Sequence, residues 1–365
     1  MPTLPLYTPN AVADASHRVT APGGYEWWYF DAEDLATDTQ LVVTLYEGFV
    51  FHPGYLRAYA RYRRRPTRVR PPVPGDYVCA SFVVYREGRV AHQFLAQYPA
   101  TDFHAARDKL DVRIGPNHCR AGEDGSLHVT LRGTPWVRTG RGAKTLREQV
   151  LSAELEFVPK FSHPPAERRL FSREMSGADH HWVLANPLCD VTGTVRVDGA
   201  AEPLSLNFRG RGYHDHNYGT GPVGAGVDRW AWGRVLLPDR VYTFHVARPR
   251  PRSSPDEAHL LHADATGLRE VGGEAAQIDW SRSSGVGLPY PSTVRFGSRL
   301  SLRDPQLVDS SQFRMRIRYH AAAHGGSEAT SAFCKVAYPH RLRWPVVGRM
   351  VERSIHRADD GAGGP

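Results

Sequence analysis

Glu26-Trp27-Trp28-Tyr29-Phe30, a polar turn, and then Leu41-Val42-Val43-Thr44-Leu45 form a pattern that the chain uses twice. The second copy is Arg229-Trp230-Ala231-Trp232-Gly233-Arg234, followed by Leu236-Leu237-Pro238-Asp239 and Tyr242-Thr243-Phe244-His245-Val246. In both, an aromatic-rich strand runs into a turn and a second strand. Apolar and polar residues also alternate over 41–46, 79–85, 127–131, 153–157, 191–197, 204–208 and 314–319, the period expected of half-buried strands. Glu87-Gly88, Asp124-Gly125 and Asp198-Gly199 punctuate these runs, and glycine accepts the positive φ of tight hairpins. The expectation is an all-β chain of two related units. Barrels are the economical way for so many strands to lose their open edges. A barrel of about eight strands can hold one small ligand. The seam is expected in the glycine-rich stretch 219–226, giving domains 1–218 and 219–365. A short helix is expected within 344–357, either capping a barrel mouth or touching a membrane surface.

Composition narrows the function classes. The chain has 365 residues, 28 prolines and 34 glycines, values that suit strands and turns. Its net charge is +8, yet only four of its 46 basic residues are lysines. The arginines are spread along the chain, so the charge reads as a biased, solvated surface rather than a nucleic-acid footprint. The basic runs 61–70 and 248–252 read as solvated loops, and 249–255 and 358–365 as a loop and a disordered tail. No two of the four cysteines form a CxxC pair, and free thiols in a reducing compartment are expected. There is neither a signal-peptide pattern nor a run of 18 apolar residues. The expectation is a cytoplasmic protein, with membrane contact limited to its periphery. No GxGxxG before a helix, P-loop or GxSxG elbow is present.

The densest polar constellation is Gly212-Tyr213-His214-Asp215-His216-Asn217-Tyr218-Gly219. If it is extended, Tyr213, Asp215 and Asn217 face one way and His214 and His216 the other. Asp215 is then a candidate acid in a hydrogen-bonded pocket. The two histidines could form a metal edge, but only with a third ligand from His180 or His181. His180-His181-Trp182 could line a cavity or be ordinary core residues. Trp27, Trp28 and Tyr29 form an aromatic wall suited to an extended apolar molecule. Metal and cofactor are both expected to be absent.

Tyr25-Glu26-Trp27-Trp28-Tyr29-Phe30-Asp31-Ala32, the Gly212–Gly219 motif, Trp230-Ala231-Trp232-Gly233-Arg234 and Tyr338-Pro339-His340-Arg341-Leu342-Arg343 together resemble the carotenoid 1,2-hydratase (hydroxyneurosporene synthase) and AttH-like superfamily. The resemblance implies two lipocalin-like β units packed together. It also implies a proton donor at Asp215, with Tyr213 two residues before it and a His-x-Trp pair at His180 and Trp182. The hydratase motif reads like Gly-Tyr-Leu-Asp-Ser-Asn. Here His214 and His216 flank the acid instead, as in the wider AttH-like group that includes Diels–Alderase-type cyclases.

The expected catalytic residues are therefore Asp215, Tyr213, His180, His214 and His216. The expected substrate-binding residues are Trp27, Trp28, Tyr29, His181, Trp182, Asn217, Trp230 and Trp232. The expected partner is a hydrophobic small molecule, a polyene, terpenoid or polyketide, and not nucleic acid. Hydrating an unactivated alkene needs a neutral acid, and burial against aromatic walls would keep an aspartate protonated. The alternatives are isomerisation or cyclisation in the same pocket, with His214 and His216 polarising a carbonyl, and a non-catalytic lipid or isoprenoid carrier.

Overall fold

A computed structural model describes residues 8–10, 12–139, 142–171, 179–201, 203–250, 256–271, 276–283, 285, 287–323 and 330–358. The expected loop at 251–255 and the tail beyond 358 lie outside the described residues. The chain is nearly all β. It divides into two compact units, Met1–Val223 with Arg343–Pro365, and Gly224–Leu342. The seam falls within the glycine-rich stretch 219–226. The end of the chain, which the sequence reading placed in the second unit, belongs to the first.

All seven alternating segments are strands. In the first unit the main sheet runs, in spatial order, through Arg89–Tyr98, Val78–Arg86, Thr39–Glu47, Tyr25–Asp34, Leu204–Gly219, His180–Asp198, Val150–Pro159 and Leu127–Gly133, with shorter strands beyond. Glu87 and Gly88 both take positive φ (51° and 70°), the turn that matches the twist of a hairpin. Alternation sends Trp28, Phe30, Leu41, Val43, Leu45 and Phe82 into one continuous apolar core. That side of the sheet is filled with side chains.

Among the described residues, two helices of more than one turn belong to this unit. Residues 61–64, expected in a basic loop, instead form the last turn of the helix Pro53–Arg64. His52 caps it by accepting from the Tyr55 N–H, and Pro53 opens it, where a missing N–H does no harm. Arg61, Arg63 and Arg64 sit in the last turn, favoured by the helix dipole. The reading missed this helix because only one of its faces is apolar and Pro66 follows closely. The expected C-terminal helix is present as Pro345–Ser354, and its Glu352 pairs with Arg57 of the first helix. Within the described residues no helix is long and apolar enough to cross a membrane.

Among its described residues the second unit is one antiparallel sheet of nine strands from Val227–Leu236 to Thr330–Ala337. Its strands Val227–Leu236 and Arg240–Pro249 pair as a hairpin, as Tyr25–Asp34 and Thr39–Glu47 do in the first unit. The repeated sequence pattern is thus a repeated strand pair. Ala231, Val235, Phe244 and Val246 enter the core of this unit.

Candidate active site

Three antiparallel strands of the first unit build the site. Leu204–Gly219 lies between Tyr25–Asp34 and His180–Asp198. In this register Asp215 stands between Tyr29 and Leu184, Asn217 between Trp27 and Trp182, and Gly219 between Tyr25 and His180. Strand periodicity then separates two arrays. Tyr213, Asp215 and Asn217 share the face away from the apolar core with Tyr25, Trp27, Tyr29, Asp31, His180 and Trp182. His214, His216 and Tyr218 share the core side with Glu26, Trp28, Phe30 and His181.

On the first face Asp215 is 4% exposed. Its Oδ2 accepts from the Tyr213 hydroxyl at 2.8 Å and from Trp182 Nε1 at 2.9 Å, and its Oδ1 accepts from Asn217 Nδ2 at 2.8 Å. Burial pushes the carboxyl up to about 6, against the opposing pull of the Tyr213 and Trp182 donors. With both lone pairs of Oδ2 engaged, Oδ1 is the oxygen that carries the proton of the neutral acid. Alongside, the Tyr29 hydroxyl donates to Asp31 Oδ2 at 2.7 Å. Further along the face the Tyr25 hydroxyl and His180 Nδ1 lie 2.7 Å apart. Burial takes His180 down to about 3 and raises Tyr25 well above the usual phenol range. The pair is therefore neutral, with Tyr25 donating to Nδ1 and the proton of His180 on Nε2. Trp27 lies over both rings, at 5.1 Å from Tyr25 and 5.6 Å from His180.

The core-side face is covered by residues 13–17. His214 Nε2 meets Asp14 at 3.0 Å and its Nδ1 meets the Tyr29 carbonyl at 2.9 Å, with the ring stacked on Phe30. Burial works to lower its pKa, but the Asp14 charge and hydrogen bond outweigh that and raise it. His216 Nε2 meets Glu26 Oε1 at 2.9 Å, and its Nδ1 meets the Ala13 carbonyl at 3.1 Å. Burial would raise Glu26, but hydrogen bonds from His17 and His216 hold it down at about 2. Glu47, opposite Glu26 on the next strand, is pushed up to about 8 by burial and then by the Glu26 charge.

Of the expected site residues, the structure brings together Asp215, Tyr213, Asn217, Trp182, His180, Trp27 and Tyr29. It places His214, His216, Trp28 and His181 on the opposite side of the same sheet. His181 Nδ1 bonds Glu167 at 2.7 Å, and His214 and His216 are engaged with the segment that covers them. The third residue grouped with His216 and Glu26 is His17, not His180 or His181. Trp230 and Trp232 belong to the second unit, on the face of their strand opposite Ala231 and Val235. Tyr25 and Asp31 stood in the aromatic motif without a site role of their own, and Asp14 was not singled out. The period of two, applied to Tyr25–Asp31 as it was to Tyr213–Asn217, separates Trp28 from Trp27 and Tyr29 and brings in Tyr25 and Asp31. No local signal marks Asp14.

Residues 43–284 match the family model of the carotenoid hydratase CrtC. The chain is 30% identical over 342 residues to a protein of Chlorobaculum tepidum named hydroxyneurosporene dehydrogenase, covering 88% of this chain and 84% of that one. It is 29% identical over 223 residues to the acyclic carotenoid 1,2-hydratase of Thiocapsa roseopersicina, covering 60% of this chain and 46% of that one. The fold is similar to the crystal structure of an AttH protein from Nitrosomonas europaea, with TM-score 0.58 and 14% identity over 93% of this chain and 99% of that one. The chain belongs to the carotenoid hydratase CrtC family and is an enzyme of the hydro-lyase type.

Proposed function

We propose that the chain adds water across a terminal carbon–carbon double bond of an acyclic, carotenoid-like isoprenoid, with Asp215 as proton donor. The observation that carries this reading is a buried carboxyl among aromatic rings, held by three fixed donors, whose burial pushes it up to about 6. Such an acid keeps about one molecule in ten protonated at pH 7, against about one in a thousand for a carboxyl near 4, and that fraction serves general-acid catalysis.

Each step balances with a proton and a water. Asp215 gives its Oδ1 proton to the less substituted alkene carbon, and the π electrons form the new C–H bond. A tertiary cation remains on the neighbouring carbon. Tyr213 and Trp182 already point at Oδ2, so they stabilise the aspartate as it forms without reorganisation. The faces of Trp27 and Tyr29 favour the cation through their quadrupoles. Water adds to the cation, and the proton it releases restores the acid. Tyr25 and His180, neutral and on the same face, are suited to orienting that water or the polyene rather than to carrying charge.

The relatives bear both hydratase and dehydrogenase names, and the buried acid on this face supports the hydratase reading. The test is to incubate the purified protein with an acyclic carotenoid and weigh the product. A gain of one water, abolished by Asp215→Asn in a folded protein, is expected. A product isobaric with the substrate would mean isomerisation or cyclisation. Ligand retention without turnover would mean a carrier. Full activity in Asp215→Asn would overturn the acid assignment.

A further inference from the structure

On the side of the sheet opposite Asp215, His17, Glu26 and His216 each offer one nitrogen or oxygen ligand atom, all within 4.8 Å of one another. Oε1 lies 3.1 Å from His17 Nδ1 and 2.9 Å from His216 Nε2, separations that ligands sharing one cation adopt. His216 Nδ1 faces the Ala13 carbonyl at 3.1 Å, and a carbonyl only accepts. Nδ1 therefore carries the proton of the neutral ring, and the Nε2 lone pair is turned toward a carboxylate oxygen. Two acceptors at 2.9 Å require a positive charge between them, either a second proton or a metal ion. A histidine ligand whose other nitrogen donates to a backbone carbonyl is the usual supporting arrangement of a metal site.

The surroundings favour the ion. Glu26 and Glu47 stand directly opposite in the antiparallel register, which sets a second carboxyl on the neighbouring strand beside the three groups. All three groups are held in place. Ser16 Oγ donates to Glu26 Oε2 at 3.2 Å, His17 stacks on Tyr218 at 3.8 Å, and His216 stacks on Trp28 at 4.6 Å. Glu26 and His216 are fully buried, whereas the His17 side chain is 22% exposed. The site thus has an open side for entry of the ion and for a water or Glu47 as a further ligand.

We propose that His17, Glu26 and His216 bind a zinc-class divalent cation that clasps residues 13–17 onto the sheet. Two imidazoles and a carboxylate suit zinc or cobalt rather than calcium or magnesium. The role is structural and does not depend on the hydration reading, because the cluster lies on the other face of the strand from Asp215.

The test uses the full-length protein, stripped with chelator and titrated with cobalt(II) and then zinc. One equivalent of cobalt should give intense visible ligand-field bands, and zinc should bleach them and raise the melting temperature. His17→Gln keeps a hydrogen-bonding side chain beside Glu26 but changes the ligand, and should weaken binding about 100-fold. Asp215→Asn should bind cobalt as the parent does. Absence of the bands from the parent protein, or their persistence unchanged in His17→Gln, would overturn the proposal and leave the cluster as a proton-bridged pair.

Discussion

Asp215→Asn tests the central physical claim independently of any substrate. Burial lifts this carboxyl from 3.8 to about 6, so folding favours its neutral form. A rise of about 2 in pKa corresponds to about 3 kcal/mol. The sign follows from linkage. A group whose pKa is higher in the folded state contributes its stability below the unfolded value. That contribution is lost as pH rises from about 4 through about 6. Above pH 7 the parent protein therefore bears the whole cost of a buried carboxylate. Asparagine has nearly the same shape and no charge. Its oxygen can take the Trp182 and Tyr213 bonds, and Asn217 can turn its amide to accept from the new NH2 group. An imperfect exchange at that one contact would offset about 1 kcal/mol. The expected result is a variant about 2–3 kcal/mol more stable than the parent at pH 7.5 and equal to it, or up to about 1 kcal/mol less stable, near pH 4. Urea denaturation of both proteins across this range measures the difference, in which the other titrating groups cancel. A stability difference independent of pH, or a variant less stable at pH 7.5 than at pH 4 relative to the parent, would refute the reasoning.

The same acid should limit activity from the alkaline side, with kcat/KM falling as pH rises through about 6; a rate flat to pH 8 would contradict it. Trp182→Phe removes the 2.9 Å donor to Oδ2, so the alkaline limb should move upward by about 1 in pH and turnover should drop at least about tenfold. Gly212→Ala would place a methyl 2.6 Å from Val191 and 2.7 Å from Phe157, beside the Asp31 carbonyl. It should cost about 3 kcal/mol or prevent folding, read by circular dichroism and thermal melting. Asp14→Asn unpairs the buried His214, at a cost of about 3 kcal/mol. Because the His214 pKa is raised in the fold, this loss should be greatest below pH 6.5 and shrink as pH rises through the folded value. Denaturation at pH 5.5 and 8.5 separates the two cases.

Much of the fold was legible because strand signals are local. The alternation at 41–46 or 191–197 and the glycines after Glu87 and Asp198 act within a few residues, and each proved to be a strand or a turn between strands. The helix Pro53–Arg64 was not legible, since its stability comes from one apolar face, a histidine cap and a contact with a segment nearly 300 residues away. The acid site was half legible. Periodicity put Tyr213 and Asn217 beside Asp215, and the aromatic run announced a wall. Grouping His214 and His216 with the same chemistry ignored what that periodicity already said, that they point through the sheet.

The sequence by itself determined an all-β chain, two copies of an aromatic strand pair, and an aspartate flanked on its own face by a tyrosine and an asparagine. These follow from periods of two and from turn chemistry, which need no distant partner. Only the tertiary structure decided that Trp182 Nε1 reaches Asp215, that Tyr25 holds His180, and that residues 13–17 fold over the two histidines on the other face. Those contacts join positions from 33 to more than 200 residues apart. The register between strands that brings them together is set by packing of the whole core, and the pKa of the acid exists only once that packing has removed the water.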